Sequence, residues 1–308
     1  MTTWDLLQVD FVQNALLASL LLGLVSGALA PLIVMRKMSF AAHATGELAL
    51  MGAAAALLFG VSVTTGAVLG AVLAAVVLAL LGLKEQDATV GVVLAFGMGL
   101  SVLFIYLYPG RTSEAYALLT GQIVGVSGAS LGVLALMSVL VVGAVAVLWR
   151  PLLFATVDPV MAAASGVPVR LLAAAFAVLI GIVASQGVQI VGALLLLALL
   201  ITPGAAAVRV TSDPLLAVAL SAVFATTAAA GGLVLSLEPG LPVSPFVTTI
   251  SFVIYLLCRC IGWARGRRVI RDESRLRRHP GDPADTVDTV DTVDPATTGP
   301  HHSQDLLR

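Results

Sequence analysis

Ala129–Leu148 reads ASLGVLALMSVLVVGAVAVL, followed at once by Trp149-Arg150. No charged side chain interrupts this stretch of about 20 residues, the length that crosses the hydrocarbon core of a bilayer as a helix. A soluble core helix of that length keeps a polar face, and this one has none. Similar runs lie on both sides. Asn14–Met35, Ala44–Gly60, Thr64–Leu83 and Thr89–Tyr108 precede it; Leu171–Ser185, Gln189–Val208, Leu215–Leu237 and Phe246–Ile261 follow. The expected fold is an all-α integral membrane bundle of about nine transmembrane helices, with about eight as the alternative. The alternative arises because Leu171–Ser185 is short and the link at Gln186-Gly187-Val188 is tight, so this pair also reads as a re-entrant or broken element. Pro31 and Pro203 fall inside spans, where a ring without an N–H kinks or breaks a helix.

Composition agrees. Of 308 residues, 59% are hydrophobic and 11% charged, and mean hydropathy is +1.05. Soluble domains carry about 25% charged residues, and the surface-to-volume ratio of a chain this size leaves no room to hide so much apolar area from water. Lipid is the expected solvent. A net charge of −1 gives no basic field for nucleic acid. Met1–Asp10 contains Asp5 and Asp10 but no Lys or Arg, unlike the positive start of a cleaved signal, so the first apolar run reads as a retained helix.

Lys and Arg set the expected orientation. With an odd number of crossings and the N-terminus outside, Arg36, Lys37, Lys84, Arg150, Arg170 and Arg209 fall in inner loops and the C-terminal arginines inside. Only Arg111, of 16 Lys and Arg, then lies outside. Residues 1–263 form the expected membrane domain. Residues 264–308 form a cytoplasmic tail, basic over Gly266–Arg278 and therefore suited to anionic headgroups. From Pro280 the tail repeats Asp-Thr-Val over Asp285–Val293. It buries too little apolar area to offset its ordering entropy and reads as disordered. His301 and His302 sit in that tail, without a geometry for metal. Cys258 and Cys260 form no C-x-x-C and read as small residues near a helix end. Gly23–Gly27, Gly66–Gly70 and Gly128–Gly132 are G-x-x-x-G pairs that allow close helix approach in lipid.

Polar groups at membrane depth are costly, so the few present carry information. His43 and Glu47 stand at i and i+4 on one helix face. Imidazole and carboxylate both ligate Zn²⁺ or Mn²⁺, and two ligands make a transient site suited to passage. The alternative is a buried His–Glu hydrogen bond that fixes two helices, or a pair close enough to the inner surface to stay wet. Gln186 and Gln189 are candidates for lining a pore or for satisfying a turn. Thr202-Pro203 marks a helix break whose freed carbonyls matter where they face a cavity. Arg111, Glu114 and Glu238 read as solvated charges. Asp158-Pro159 opens a short helix, Val160–Ser165, closed by Gly166: an N-cap, a first-position Pro and a terminal Gly in order. On the inner side, that helix reads either as one that docks into a groove on a cytosolic partner or as an ordinary interfacial helix. No G-x-x-x-x-G-K-[ST] loop is present, so ATP is not bound here in that way, and no H-E-x-x-H occurs.

Several of these segments together resemble the ABC-3 family, the permeases of ABC importers for zinc, manganese and iron. They are Met38-Ser39-Phe40 through Gly52; Gln86-Asp87-Ala88-Thr89-Val90-Gly91; Asp158-Pro159 with Ala162, Ala164 and Gly166-Val167-Pro168-Val169-Arg170; and Gln189-x-Val191-Gly192-Ala193-Leu194 running to Ala198-Leu199-Leu200-Ile201-Thr202-Pro203-Gly204-Ala205-Ala206. The resemblance covers about residues 14–262. It implies a permease of a bacterial cytoplasmic membrane, paired as a homodimer and embedded in lipid. Cytosolic ABC ATPase subunits hydrolyse ATP in its place, and an extracytoplasmic binding protein delivers the ion. It further implies that Asp158, Pro159, Ala162 and Gly166 belong to the ATPase-coupling helix. The transported ion is a divalent metal, zinc first and manganese or iron as alternatives, with no cofactor held permanently. This chain has His43 where the family has an acidic residue and Glu47 where it has His, so both ligand types persist at the same spacing. Where the family shows Phe-Gly-Asp, this chain reads Thr120-Gly121-Gln122, so Gln122, like Gln189 and Thr202, is expected to line the path without charge. A stand-alone carrier or channel driven by gradients is the competing class.

Overall fold

The computed structural model describes residues 9–81, 86–121, 126–237 and 241–276, and every regular element among them is a helix. In chain order these are α1 (Asp10–Met35), α2 (Ser39–Leu58), α3 (Val63–Leu81), α4 (Gln86–Leu107), α5 (Thr112–Thr120), α6 (Gly128–Val157), α7 (Pro159–Ala164), α8 (Val169–Ile190), α9 (Ala193–Leu200), α10 (Thr202–Val210), α11 (Pro214–Leu237) and α12 (Val243–Leu276). Among the described residues 7 helices are long and apolar enough to cross a membrane: α1, α2, α4, α6, α8, α11 and α12. Two further apolar stretches are shorter, Val63–Val77 in α3 and Leu195–Val210 across α9 and α10. The chain divides into two compact units, Met1–Trp263 and Ala264–Arg308. Residues 264–276 of the second continue as helix. Gln122, Lys84, Glu238 and the repeat-bearing tail lie outside the described residues.

Two packed groups make the membrane unit. In one, α1 lies along α11, with α10 and α6 against it; in the other, α2 lies between α3 and α4, and α3 packs on α8. Leu29, Leu134, Phe176, Leu199 and Leu233 fill the first interior, and Leu50, Ala53, Ala71, Ala184 and Leu196 the second. With no polar solvent to drive association in lipid, close backbone contact does much of this work. A Cβ on Gly23 would stand 2.8 Å from the Thr226 Cα, and one on Gly27 2.5 Å from the Ala222 Cα, so this pair seats α1 on α11. Gly66 and Gly70 seat α3 on α2, where Gly52 and Leu48 meet them. Gly128 and Gly132 have open space where a side chain would be and pack against nothing.

The structure corrects several expectations. The expected tight link at Gln186-Gly187-Val188 is helical: α8 runs on to Ile190, and the chain turns at Val191-Gly192. Gln189 sustains the extra turn by donating from Nε2 to the Ser185 carbonyl at 2.8 Å, and Gly192 at φ +81 supplies the reversal. The expected Gln189–Val208 span is broken at Ile201 (φ −120, ψ −51) into α9 and α10, with Pro203 in the first turn of α10, where its missing N–H leaves nothing unpaired. Pro31, by contrast, sits within a continuous α1. Its residue four back is Gly27, which carries no side chain. The Ala129–Leu148 run extends to Val157 through Arg150 and Pro151, so Arg150 is helical and not in a loop. Nothing in the periodicity pointed to α5.

Candidate functional site

His43 and Glu47 lie one turn apart on α2. His43 is half-buried, and Glu47 is 8% exposed. No hydrogen bond joins them. The expected alternative, a His–Glu bond locking two helices, is therefore not made. Around Glu47 the backbone packs tightly: Ser101 of α4 donates to the Gly97 carbonyl at 2.7 Å and stands 3.5 Å from that of Glu47. A Cβ on Gly46 would reach Leu196 of α9 at 3.3 Å. Among the described residues no group of three or more His, Cys, Asp or Glu gathers to hold a metal. What α2 offers is one imidazole and one carboxylate on a shared face.

Gln189 lies well away from that pair in its contacts. Thr64 of α3 donates from Oγ1 to its Oε1 at 2.6 Å, while its Nε2 is held by Ser185. A cavity of about 320 Å³ opens here between α3, α6 and α8, lined by Thr64, Ala129, Ser130, Gln186, Gln189 and Ile190 among others. Thr202 is at the α9–α10 break, partly buried. The structure thus places Gln189 beside a cavity and Thr202 at a break, and does not join either to His43 and Glu47. Gln122 lies outside the described residues. Thr64 and Ser130 escaped sequence reasoning, because a hydroxyl on an apolar helix has no signal of its own.

The α7 element matches its sequence signature. Asp158 caps it, with Oδ1 accepting from Val160 N at 3.1 Å and Met161 N at 2.9 Å. Pro159 takes the first position, and Gly166 leaves it at φ +82. The helix is 6 residues long and is Pro159–Ala164, one residue earlier than expected. Ala162 is fully buried and anchors it, while Val160 and Met161 are 76% and 57% exposed. Short, capped and apolar-faced, it presents a hydrophobic knob at the junction of two long helices. Arg36, the C-cap of α1, stacks over Phe176 of α8, 5.1 Å from the ring centroid. Burial lowers the pKa of its guanidinium, an ion that stays protonated at any physiological pH.

Helices long and apolar enough to cross a membrane, with one expected span broken at Ile201 and a capped apolar knob between two others, make an all-α integral membrane bundle. The chain belongs to the ABC 3 transport family, whose family model matches residues 8–261. It is 30% identical over 235 residues to the manganese transport system membrane protein MntC of Halalkalibacterium halodurans, covering 75% of this chain and 80% of that protein. It is 28% identical over 253 residues to the manganese import system permease protein ScaB of Streptococcus parasanguinis, covering 81% and 90%. Among solved structures it is similar in fold to PsaBC from Streptococcus pneumoniae in complex with Fab. The TM-score there is 0.76 at 24% identity, over 83% of this chain and 94% of that one.

Proposed function

We propose that this chain is the membrane permease subunit of an ABC importer that takes up a divalent transition metal, with manganese as the cargo. The observation that carries the reading is membership of the ABC 3 transport family together with relatives named for manganese. The sequence, through its imidazole, pointed first to zinc. The relatives' names favour the manganese alternative, and the Glu47 carboxylate suits that ion. Two permeases pair in the bacterial cytoplasmic membrane. Cytosolic ATPases hydrolyse ATP below them, and an extracytoplasmic binding protein loads the ion from outside.

In this reading the N-terminus is outside and α7 faces the cytosol. Asp158 and Pro159 hold the α7 backbone, Ala162 roots it in the bundle, and Gly166 turns the chain into α8, so that movement of the ATPase is passed to α8 as to a rigid lever. His43 and Glu47 give the ion its protein ligands on α2. With only two of them, dissociation stays fast enough for passage. Gln189 and Thr202 offer neutral oxygens along the way.

Reconstitution tests this. Proteoliposomes holding the chain with its partner ATPase should accumulate manganese only with ATP present. Uptake through the chain alone, without ATP, would favour the stand-alone carrier and remove the ABC assignment.

A further inference from the structure

Arg36 is half-buried at the end of α1. Among the described residues, its Nη1 is the one atom of a charged group that is buried without a hydrogen-bond partner. Burying a cationic donor unpaired is costly, and a charge kept in that state in a membrane protein points to a use. The face of the Phe176 ring, 5.1 Å from the guanidinium carbon, is what holds it. Phe176 is itself fully buried on α8, so the ring is fixed to that helix.

The corner that carries Arg36 is stiff. Met38 N donates to the Ile33 carbonyl at 2.9 Å, and Lys37 N to that of Val34 at 3.1 Å. This paired closure of a helix end ordinarily places glycine in its left-handed position. Here the position is Lys37, at φ +56, the one residue other than glycine with positive φ among the described residues. A conformation that a side chain resists persists only where its surroundings impose it. α2 begins at Ser39, directly after the closure, and carries His43 and Glu47 in its second and third turns. A displacement of the end of α1 therefore takes the start of α2 with it.

The other side of the contact leads to α7. Phe176 shares one apolar cluster with Leu172 of α8, Ala162 of α7, Ile33 of α1 and Ala42 of α2. Ala162 roots α7, and Ala42 precedes His43 in the chain. Apolar contacts are non-directional and let one helix slide on another. A guanidinium bound by a ring face is tied to one residue, and the tie is weak enough to break and remake.

We propose that the Arg36–Phe176 contact is the link by which α8 moves the start of α2. Displacement of α7 by the partner ATPase carries α8 and the Phe176 ring. The ring draws or releases Arg36, and the stiff corner turns His43 and Glu47 with it. Arg36 and Phe176 are positioning residues that touch no ion. The proposal rests on the permease reading, because it needs α7 to face the ATPase.

Manganese transported per ATP hydrolysed tests the link, in proteoliposomes holding the full chain with its partner ATPase. Arg36→Met removes the charge and keeps the length of the side chain. Phe176→Leu removes the ring and keeps the cluster apolar, whereas Phe176→Tyr keeps the ring face. Arg36→Met and Phe176→Leu should each lower manganese per ATP about fivefold, within the range that single residues along a coupling route command. ATP turnover should stay near that of the wild type, Phe176→Tyr should hold the wild-type ratio, and the double variant should be no worse than either single one. A merely structural role would lower the melting temperature and the yield of complex but leave the ratio unchanged. An unchanged ratio in both Arg36→Met and Phe176→Leu overturns the link, as does a Phe176→Tyr ratio as low as that of Phe176→Leu. A wild-type complex that takes up no manganese with ATP overturns the permease reading and the link together.

Discussion

Gly121 and Gly192 meet backbone to backbone. Gly121 ends α5 at φ +80 and ψ 153, and Gly192 precedes α9 at φ +81 and ψ 158. A Cβ on Gly121 would stand 2.9 Å from the Gly192 nitrogen, and one on Gly192 2.5 Å from the Leu119 carbonyl oxygen. Both residues occupy a region of backbone space that only glycine uses freely. Each therefore permits a conformation and a contact at once, pinning the α8–α9 turn to the end of α5.

Gly192→Ala should accordingly destabilise the chain by more than the ~1–3 kcal/mol of backbone strain alone. Gly60 also has positive φ, at +70, but faces open space. Thermal unfolding of the detergent-solubilised protein should show a much larger drop for Gly192→Ala than for Gly60→Ala. Equal drops would mean that the contact contributes nothing.

The G-x-x-x-G pairs should separate by sign. Gly27→Ala forces α1 away from α11 and should lower stability. Gly132→Ala meets no neighbour and gains up to about 1 kcal/mol of helix propensity. The same melting experiment compares them, and loss of stability in both would contradict the packing described.

Asp158→Ala removes the acceptor for Val160 N and Met161 N, a cap worth about 1 kcal/mol. On the proposed coupling role, the variant should stimulate its partner ATPase less than wild type does, while Asp158→Asn, which keeps the acceptor oxygen, should stay close to it. ATPase turnover in the assembled complex decides. An unimpaired Asp158→Ala would detach α7 from coupling.

His43→Ala and Glu47→Ala should each depress manganese uptake and leave membrane insertion and ATPase association intact. Uptake of radioactive manganese into cells is the measurement. Full uptake in both variants would take the pair off the ion's path.

Legibility in the sequence followed locality. Seven of the nine expected spans were readable because lipid demands a continuous apolar run, Thr64–Leu83 and Gln189–Val208 falling short among the described residues, and α7 because Asp158, Pro159 and Gly166 write its start and stop within a few residues. The α8–α9 turn was misplaced because it depends on partners far along the chain. Gln189 read as the first residue of a new span, whereas Thr64, 125 positions away, and Ser185 hold its amide within α8. Gly121 and Gly192 carry no mark in sequence that they touch. The Gly128–Gly132 spacing matched Gly23–Gly27, yet only the latter has a helix to pack against. The His43/Glu47 spacing was visible as a shared face, but whether the two side chains bond to one another needed the structure.

Sided labelling of α7 tests the central claim most directly. Met161 is 57% exposed, and Cys258 and Cys260 are the only cysteines of the chain. With both replaced by Ser, a thiol introduced as Met161→Cys should react with a membrane-impermeant maleimide in inside-out vesicles and stay unlabelled in intact cells. Labelling in intact cells would put α7 on the outer surface, where no cytosolic ATPase reaches it, and the account of this chain as an ATP-driven permease would fail.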